Sequence, residues 1–186
     1  MVRILALAAD GAPAEWLEVE RAAYYVSRNR VAWDLGDPVV TLRGGTNSIT
    51  GLQSLMELKP IICIRSEVHV QRAHKSPPFE RDVLLRRDRC VCAYCGERFK
   101  ERELTLDHVT PESRGGPTDY MNIVAACKSC NGLKDNRTPE EAKMPLLYVP
   151  YTPNLHEKFI LANRAILADQ LEFLSLSVPK HSRLWS

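Results

Sequence analysis

The chain has 186 residues, 45% of them hydrophobic and 26% charged, with a formal net charge of +2. That length suits one ordinary domain, or a small domain with an appendage, and no apolar run approaches the roughly 18 residues of a membrane span. The small net charge excludes a polycation that would hold nucleic acid by bulk charge alone, and six cysteines without an export signal argue against a disulfide-built mini-protein.

In chain order, residues 3–8 form a short apolar run that breaks at Asp10-Gly11, which reads as a first strand rather than a signal peptide. Residues 13–26 predict a helix: Pro13 suits a first turn, acids come early, and Arg28 and Arg30 come late. On that helix Trp16, Val19, Ala23 and Val26 share the core-facing side. Residues 39–43 and 61–70 predict two further strands, the second with Cys63 as a buried small hydrophobe. Gly44-Gly45-Thr46-Asn47-Ser48 between them reads as a turn without the spacing of a phosphate loop. Residues 1–76 are therefore expected to form a small N-terminal α/β extension.

Pro77-Pro78 marks a break, and residues 79–88 predict a short basic helix. Around it, Arg72, Lys75, Arg81, Arg86, Arg87, Arg89, Arg98 and Lys100 outnumber Glu80, Asp82, Asp88 and Glu97. This excess suits either a solvated face or a phosphate-facing one. Then come two Cys-x-x-Cys pairs, Cys92/Cys95 and Cys127/Cys130. Two such pairs can close a tetrahedral four-thiolate zinc site, whereas a redox motif would need only one and leave the other idle. Cys90, two residues from Cys92, either points away from the metal or competes for it, and is not expected among the ligands.

Between the pairs, residues 104–108 and 122–126 alternate like strands around a polar loop, and residues 128–136 suit a short helix. So small a unit buries little apolar surface. A structural zinc ion, with an apparent contribution on the order of 10–16 kcal/mol, can stand in for a core. Thr138-Pro139-Glu140-Glu141 predicts a capped helix start, and Pro145, Pro150 and Pro153 prevent any long helix beyond it. From Asn154, an apolar stripe of Leu155, Phe159, Ile166, Leu167, Leu171 and Leu174 predicts one amphipathic helix to about residue 175. It suits packing on the body or, alternatively, a homodimer contact.

The pattern Cys92-x-x-Cys95-Gly96, Asp107-His108, Pro111, Ser113-x-Gly115-Gly116, Asn122, Cys127-x-x-Cys130-Asn131 and Lys134 resembles the HNH endonucleases of the four-cysteine, zinc-containing type. The likeness runs over residues 86–142. It implies an α+β fold in which a ββα-metal nuclease unit, residues 77–145, is stapled by zinc between the N-terminal extension and a helical tail, 146–186. Asn131 stands where the family name expects a second His, a position that Asn often fills in similar sequences. The resemblance further implies a DNA substrate, products with 5′-phosphate and 3′-hydroxyl ends, Asn122 pinning the loop that orients His108, and a bacterial or phage-encoded cytoplasmic protein with no membrane association.

Chemistry assigns the remaining roles. Phosphodiester hydrolysis needs an activated water, and His108 suits the general base at neutral pH. Asp107 and the amide oxygen of Asn131 make a hard oxygen site suited to Mg2+ or Mn2+ rather than zinc. Strand alternation would turn Asp107 and His108 to opposite sides, or splay them at a strand end. Arg87, Arg114 and Lys134 are candidates for phosphate contacts. The competing expectation is a non-cleaving, zinc-stabilised DNA-binding module. A RING-like partner-binding scaffold would need a second zinc site, for which the chain lacks spaced ligands.

Overall fold

The computed structural model describes residues 2–65 and 77–185, arranged as two compact units: Met1–Lys75 with Asn163–Ser177, and Ser76–Ala162 with Val178–Ser186. The expected strand beyond residue 65, and Arg72, Lys75, His69 and His74, lie outside the described residues. No described helix is long and apolar enough to cross a membrane.

The first unit is built on β1 (Ile4–Leu7) and β6 (Ile61–Ile64), continuous aliphatic runs in which every residue is buried. Strands buried on both faces take this uniform composition. β1 and β6 run parallel, flanked by antiparallel β2 (Pro13–Leu17) and β3 (Val31–Leu35) in the order β2-β1-β6-β3. Leu17, Ala22 of α1 (Val19–Ser27) and Leu58 of β5 (Gln53–Leu58) close the core around Ile4, Ala6, Ile62 and Ile64.

Here the expected helix over 13–26 is corrected. Its first turn is instead strand β2, and the helix begins at Val19. The unpaired edge of β1 takes Leu17, Trp16 and Glu15 as partners of Ile4, Leu5 and Ala6, and Pro13, which has no N–H, is tolerated on an edge strand. The Asp10-Gly11 break is the hairpin turn, with Gly11 at φ +83° and its N–H on the Ala8 carbonyl. The turn expected at residues 44–48 also moves. Gly44 and Gly45 lie inside β4 (Val40–Thr46), paired with β5, and Asn47 makes the turn by accepting the Ile49 and Thr50 amides. A Cβ at Gly44 would meet Ser54 Oγ at 2.3 Å, so glycine there permits the close cross-strand approach.

The single C-terminal helix is likewise two: α5 (Leu155–Ala162) in the second unit and α6 (Ala168–Ser175) in the first. Asn163 Oδ1 accepts the Ala165 amide, a local turn that competes with helix propagation, and Gln170 Oε1 restarts the helix by accepting the Leu167 amide. Gln170 is fully buried and its Nε2 donates to the carbonyls of Arg3 and Pro60, which fixes α6 to the first unit.

In the second unit, α2 (Arg81–Arg87) supplies Val83, Leu84 and Leu85 to a core with Leu104, Tyr120, Ile123, Ala125 and Leu161. Antiparallel β7 (Leu104–His108) and β8 (Ile123–Cys127) pair from Leu104↔Cys127 to His108↔Ile123, and α3 (Lys128–Lys134) continues directly from β8. This is the expected strand, loop, strand, helix order. The outer edge of β8 is fully engaged. Ile123 N–H donates to the Asp119 carbonyl and Ala125 N–H to Asp88 Oδ2, while the Ile123 and Ala125 carbonyls accept from Arg87 and from the Ala93 amide. Thr138 caps α4 (Pro139–Ala142) with the predicted capping box to Glu141.

Candidate active site beside a four-sulfur cluster

The first cysteine pair sits in a tight knuckle. Cys92 N–H donates to the Glu97 carbonyl, Gly96 N–H to the Cys92 carbonyl, and Gly96 takes φ +75°, which favours a residue without Cβ. The second pair straddles the β8–α3 junction, where the Cys127 sulfur caps the helix by accepting the Cys130 amide at 3.4 Å. All four sulfurs lie within 4.8 Å of one another. A tetrahedral zinc–thiolate site, with Zn–S near 2.3 Å, has sulfur–sulfur edges of about 3.8 Å, so the donor set and spacing fit zinc. Burial opposes ionisation of Cys92, but backbone amides of Cys95, Cys127 and Tyr94 outweigh it and bring the thiol down to about 7. Cys130 moves the other way, raised by burial and by the sulfurs around it. Four sulfurs so close are held as thiolates only by a cation among them. Cys90 packs instead against the core, and Cys63 is buried with its thiol on the Ala8 carbonyl.

Beside this cluster, Thr105, Asp107, His108, Pro111, Asn131 and Lys134 line a polar cleft of about 580 Å³. Asp107 and His108 both reach it because His108 is the last residue of β7, where the strand gives way to the loop. Asp107 is buried. Its Oδ1 accepts the Lys134 ammonium at 3.0 Å and its Oδ2 accepts the Tyr94 hydroxyl. Burial and the Asp107 carboxylate push the Tyr94 phenol far above its ordinary range, so it remains a donor.

Half-buried His108 has Nε2 at 3.0 Å from Thr118 Oγ1, and Nδ1 has no protein partner among the described residues. The loop carrying Thr118 is pinned by Asn122, whose Oδ1 accepts the Thr110 amide and whose Nδ2 donates to the carbonyls of Thr110 and Pro117. Gly116 closes the same loop so tightly that a Cβ would fall 1.8 Å from the Thr110 carbonyl oxygen.

The orientation of the Asn131 amide is set by its neighbour. Thr105 Oγ1 donates its one proton to the Ala126 carbonyl, so the Asn131 atom 2.8 Å from it must be the donor, Nδ2. Asn131 Oδ1 is then left without a protein partner among the described residues, in the cleft that Asp107 also lines. One carboxylate and one amide oxygen fit a hard divalent cation that keeps several waters.

Two of the expected phosphate contacts are corrected. Arg87 is 1% exposed and all its guanidinium nitrogens are engaged, on both Asp88 oxygens and on the carbonyls of Tyr120, Tyr151 and Ile123. Lys134 is also 1% exposed, its ammonium shared between Asp107 and the His108 carbonyl. Both turn inward because a buried carboxylate beside them must be neutralised. Arg114 remains exposed, paired with both oxygens of Glu141. His156 and His181 lie outside the cleft lining. Tyr94 and Thr118 were missed by sequence reasoning. The signal for Tyr94 was only its place between two ligands, and Thr118 offered none.

Residues 92–147 match the family model described as HNH endonuclease. CRISPR-associated endonuclease Cas9 of Corynebacterium diphtheriae is 31% identical over 74 residues, covering 39% of this chain and 7% of that protein. The Cas9 of Actinomyces naeslundii is 38% identical over 48 residues (25% of this chain, 4% of that protein), and the Cas9 of Campylobacter jejuni 38% over 65 residues (32% and 7%). The chain thus spans only a small fraction of the length of these relatives. Among solved structures, the Type II-C Cas9 enzyme from Actinomyces naeslundii aligns at 20% identity and a TM-score of 0.32, over 56% of this chain and 13% of that one, a likeness too low to bear on the fold. The sulfur cluster and the expected strand and helix order lie within the residues, 92–147, that match the HNH endonuclease family model.

Proposed function

We propose that residues 77–145 form a metal-dependent DNA endonuclease unit, with His108 as general base and Asp107 and Asn131 holding one divalent ion. The observation that carries this reading is the unpartnered amide oxygen of Asn131 in the same cleft as Asp107 and the half-buried ring of His108. In the tautomer whose Nε2–H donates to Thr118 Oγ1, 3.0 Å away, His108 Nδ1 keeps its lone pair and can take a proton from water as the water oxygen attacks phosphorus. The bond to the 3′ oxygen breaks and that oxygen takes a proton from solvent water, leaving 5′-phosphate and 3′-hydroxyl ends. Asn122 fixes the loop on which the Thr118 contact depends. A divalent cation at the oxygens of Asp107 and Asn131 would stabilise charge on the scissile phosphate and on the leaving oxygen. The four cysteines would hold zinc in a structural role, all four coordination positions being filled by sulfur.

One observation favours a second reading, a DNA-binding module that does not cleave: the Asp107 carboxylate is already met by Lys134 and Tyr94. Supercoiled plasmid incubated with Mg2+ or Mn2+ separates the two. The endonuclease reading requires nicking by the native protein and its loss in His108→Ala, by about 10²- to 10⁴-fold, with duplex binding retained. Binding without nicking in any of Mg2+, Mn2+ or Ni2+ would establish the module instead.

A further inference from the structure

We infer that Tyr94 is a positioning residue for the Asp107 carboxylate, tying the proposed divalent-ion site to the sulfur knuckle; this rests on the endonuclease reading above. Tyr94 stands between Cys92 and Cys95, and its ring packs against the cluster of Cys92, Ala126 and Cys127. The backbone beneath it is fixed on both sides of Ala93, whose N–H donates to the Ala125 carbonyl and whose carbonyl accepts the Leu147 amide, each at 2.8 Å. From this anchored base the hydroxyl donates to Asp107 Oδ2, while Oδ1 meets Lys134. The carboxylate is therefore held through both oxygens by two elements, the knuckle and α3 with its N-cap, and each of these carries two of the four sulfurs.

The two contacts are not equivalent. Lys134 is a buried cation, and its charge opposes a divalent ion at the same carboxylate. Tyr94 is a neutral donor on a rigid ring with two rotatable bonds, so it can keep its hydrogen bond when the carboxylate also binds a cation. Groups that hydrogen-bond a metal-binding side chain orient it, and their loss lowers metal affinity by roughly 10- to 100-fold.

The test uses zinc-loaded protein, Mn2+ as the probe and electron paramagnetic resonance of the unbound ion as readout. Cobalt replacing zinc reports on the thiolates through its charge-transfer band. Tyr94→Phe is expected to weaken Mn2+ binding by roughly 10- to 100-fold, leave the cobalt band unchanged, and recover nicking as Mn2+ is raised to saturation. In an Asp107→Ala background the same substitution should change Mn2+ affinity no further, as expected of a residue acting only through that carboxylate. Unchanged Mn2+ affinity with an intact cobalt band overturns the inference. A perturbed band also does so, because Tyr94 would then serve the knuckle itself. Failure of the endonuclease reading looks different: Asp107→Ala in otherwise native protein would leave Mn2+ binding unaltered, and the inference would fall with it.

Discussion

Among the largest fully buried side chains, those of the N-terminal unit are Ile4, Leu5, Leu7, Leu17, Leu58, Ile61 and Ile62, whereas those of the second unit include Arg87 and Lys134. The first unit fills its interior with aliphatic contact, which is non-directional and tolerates substitution that keeps volume. The second places charges inside and pairs two buried cations with carboxylates: Arg87 with Asp88 through two hydrogen bonds, Lys134 with Asp107. Such pairs add little net stability over an apolar replacement, but they fix atoms in place, and removal of one partner leaves a stranded charge. Precision is concentrated in the second unit. The cleft lined by Asp107 and His108 is built from directional bonds and sulfur, and the N-terminal unit is built from aliphatic packing.

The most severe challenge to this division is to withdraw the metal from the sulfurs. Chelation, or the double substitution of Cys127 and Cys130 by Ser, is expected to remove on the order of 10 kcal/mol of apparent stability and unfold the β7–β8 hairpin and α3. Hydrogen exchange checks this: amides of β1 and β6 should stay protected, and simultaneous loss in both units would end the distinction. Next in size is Arg87→Ala, expected to cost about 3–5 kcal/mol in urea unfolding because Asp88 is left buried without its partner. Gly116→Ala should displace the His108 loop from its close approach to Thr110, lowering plasmid nicking by about 10²-fold with duplex affinity unchanged. Ile62→Val in the aliphatic core should cost only about 1 kcal/mol by thermal melting, well below the loss at Arg87. Smallest of all, Arg114→Ala should leave the melting temperature unaltered, Arg114 and Glu141 being exposed, and lower the salt dependence of DNA binding by about one ion.

Legibility in the sequence divides along the same line. The sulfur pairs, the Leu104–His108 strand, the helix after Cys127 and the Thr138 cap each carry a local pattern that admits few structures, and each stands where the pattern puts it. Strand β2 was illegible because its residues suit a helix, and only the open edge of β1, which no local window reveals, makes them a strand. The break between α5 and α6 turned on two side chains, Asn163 and Gln170, inside an otherwise helical stripe. Arg87 and Lys134 were misjudged for a different reason. A basic residue declares its charge in the sequence but not which carboxylate it will face, so Asp88 and Asp107 drew inward what composition suggested lay outside.

The engaged outer edge of β8 also governs how this protein behaves in a crowded solution. Two-stranded ribbons ordinarily invite a third strand from another molecule, the first step towards fibrous association. Here the Arg87–Asp88 clasp and the Ala93 amide occupy the backbone groups that such a strand would need on β8, so that edge offers no template for recruitment. A charged pair hidden in the interior thereby guards the β8 edge against strand addition.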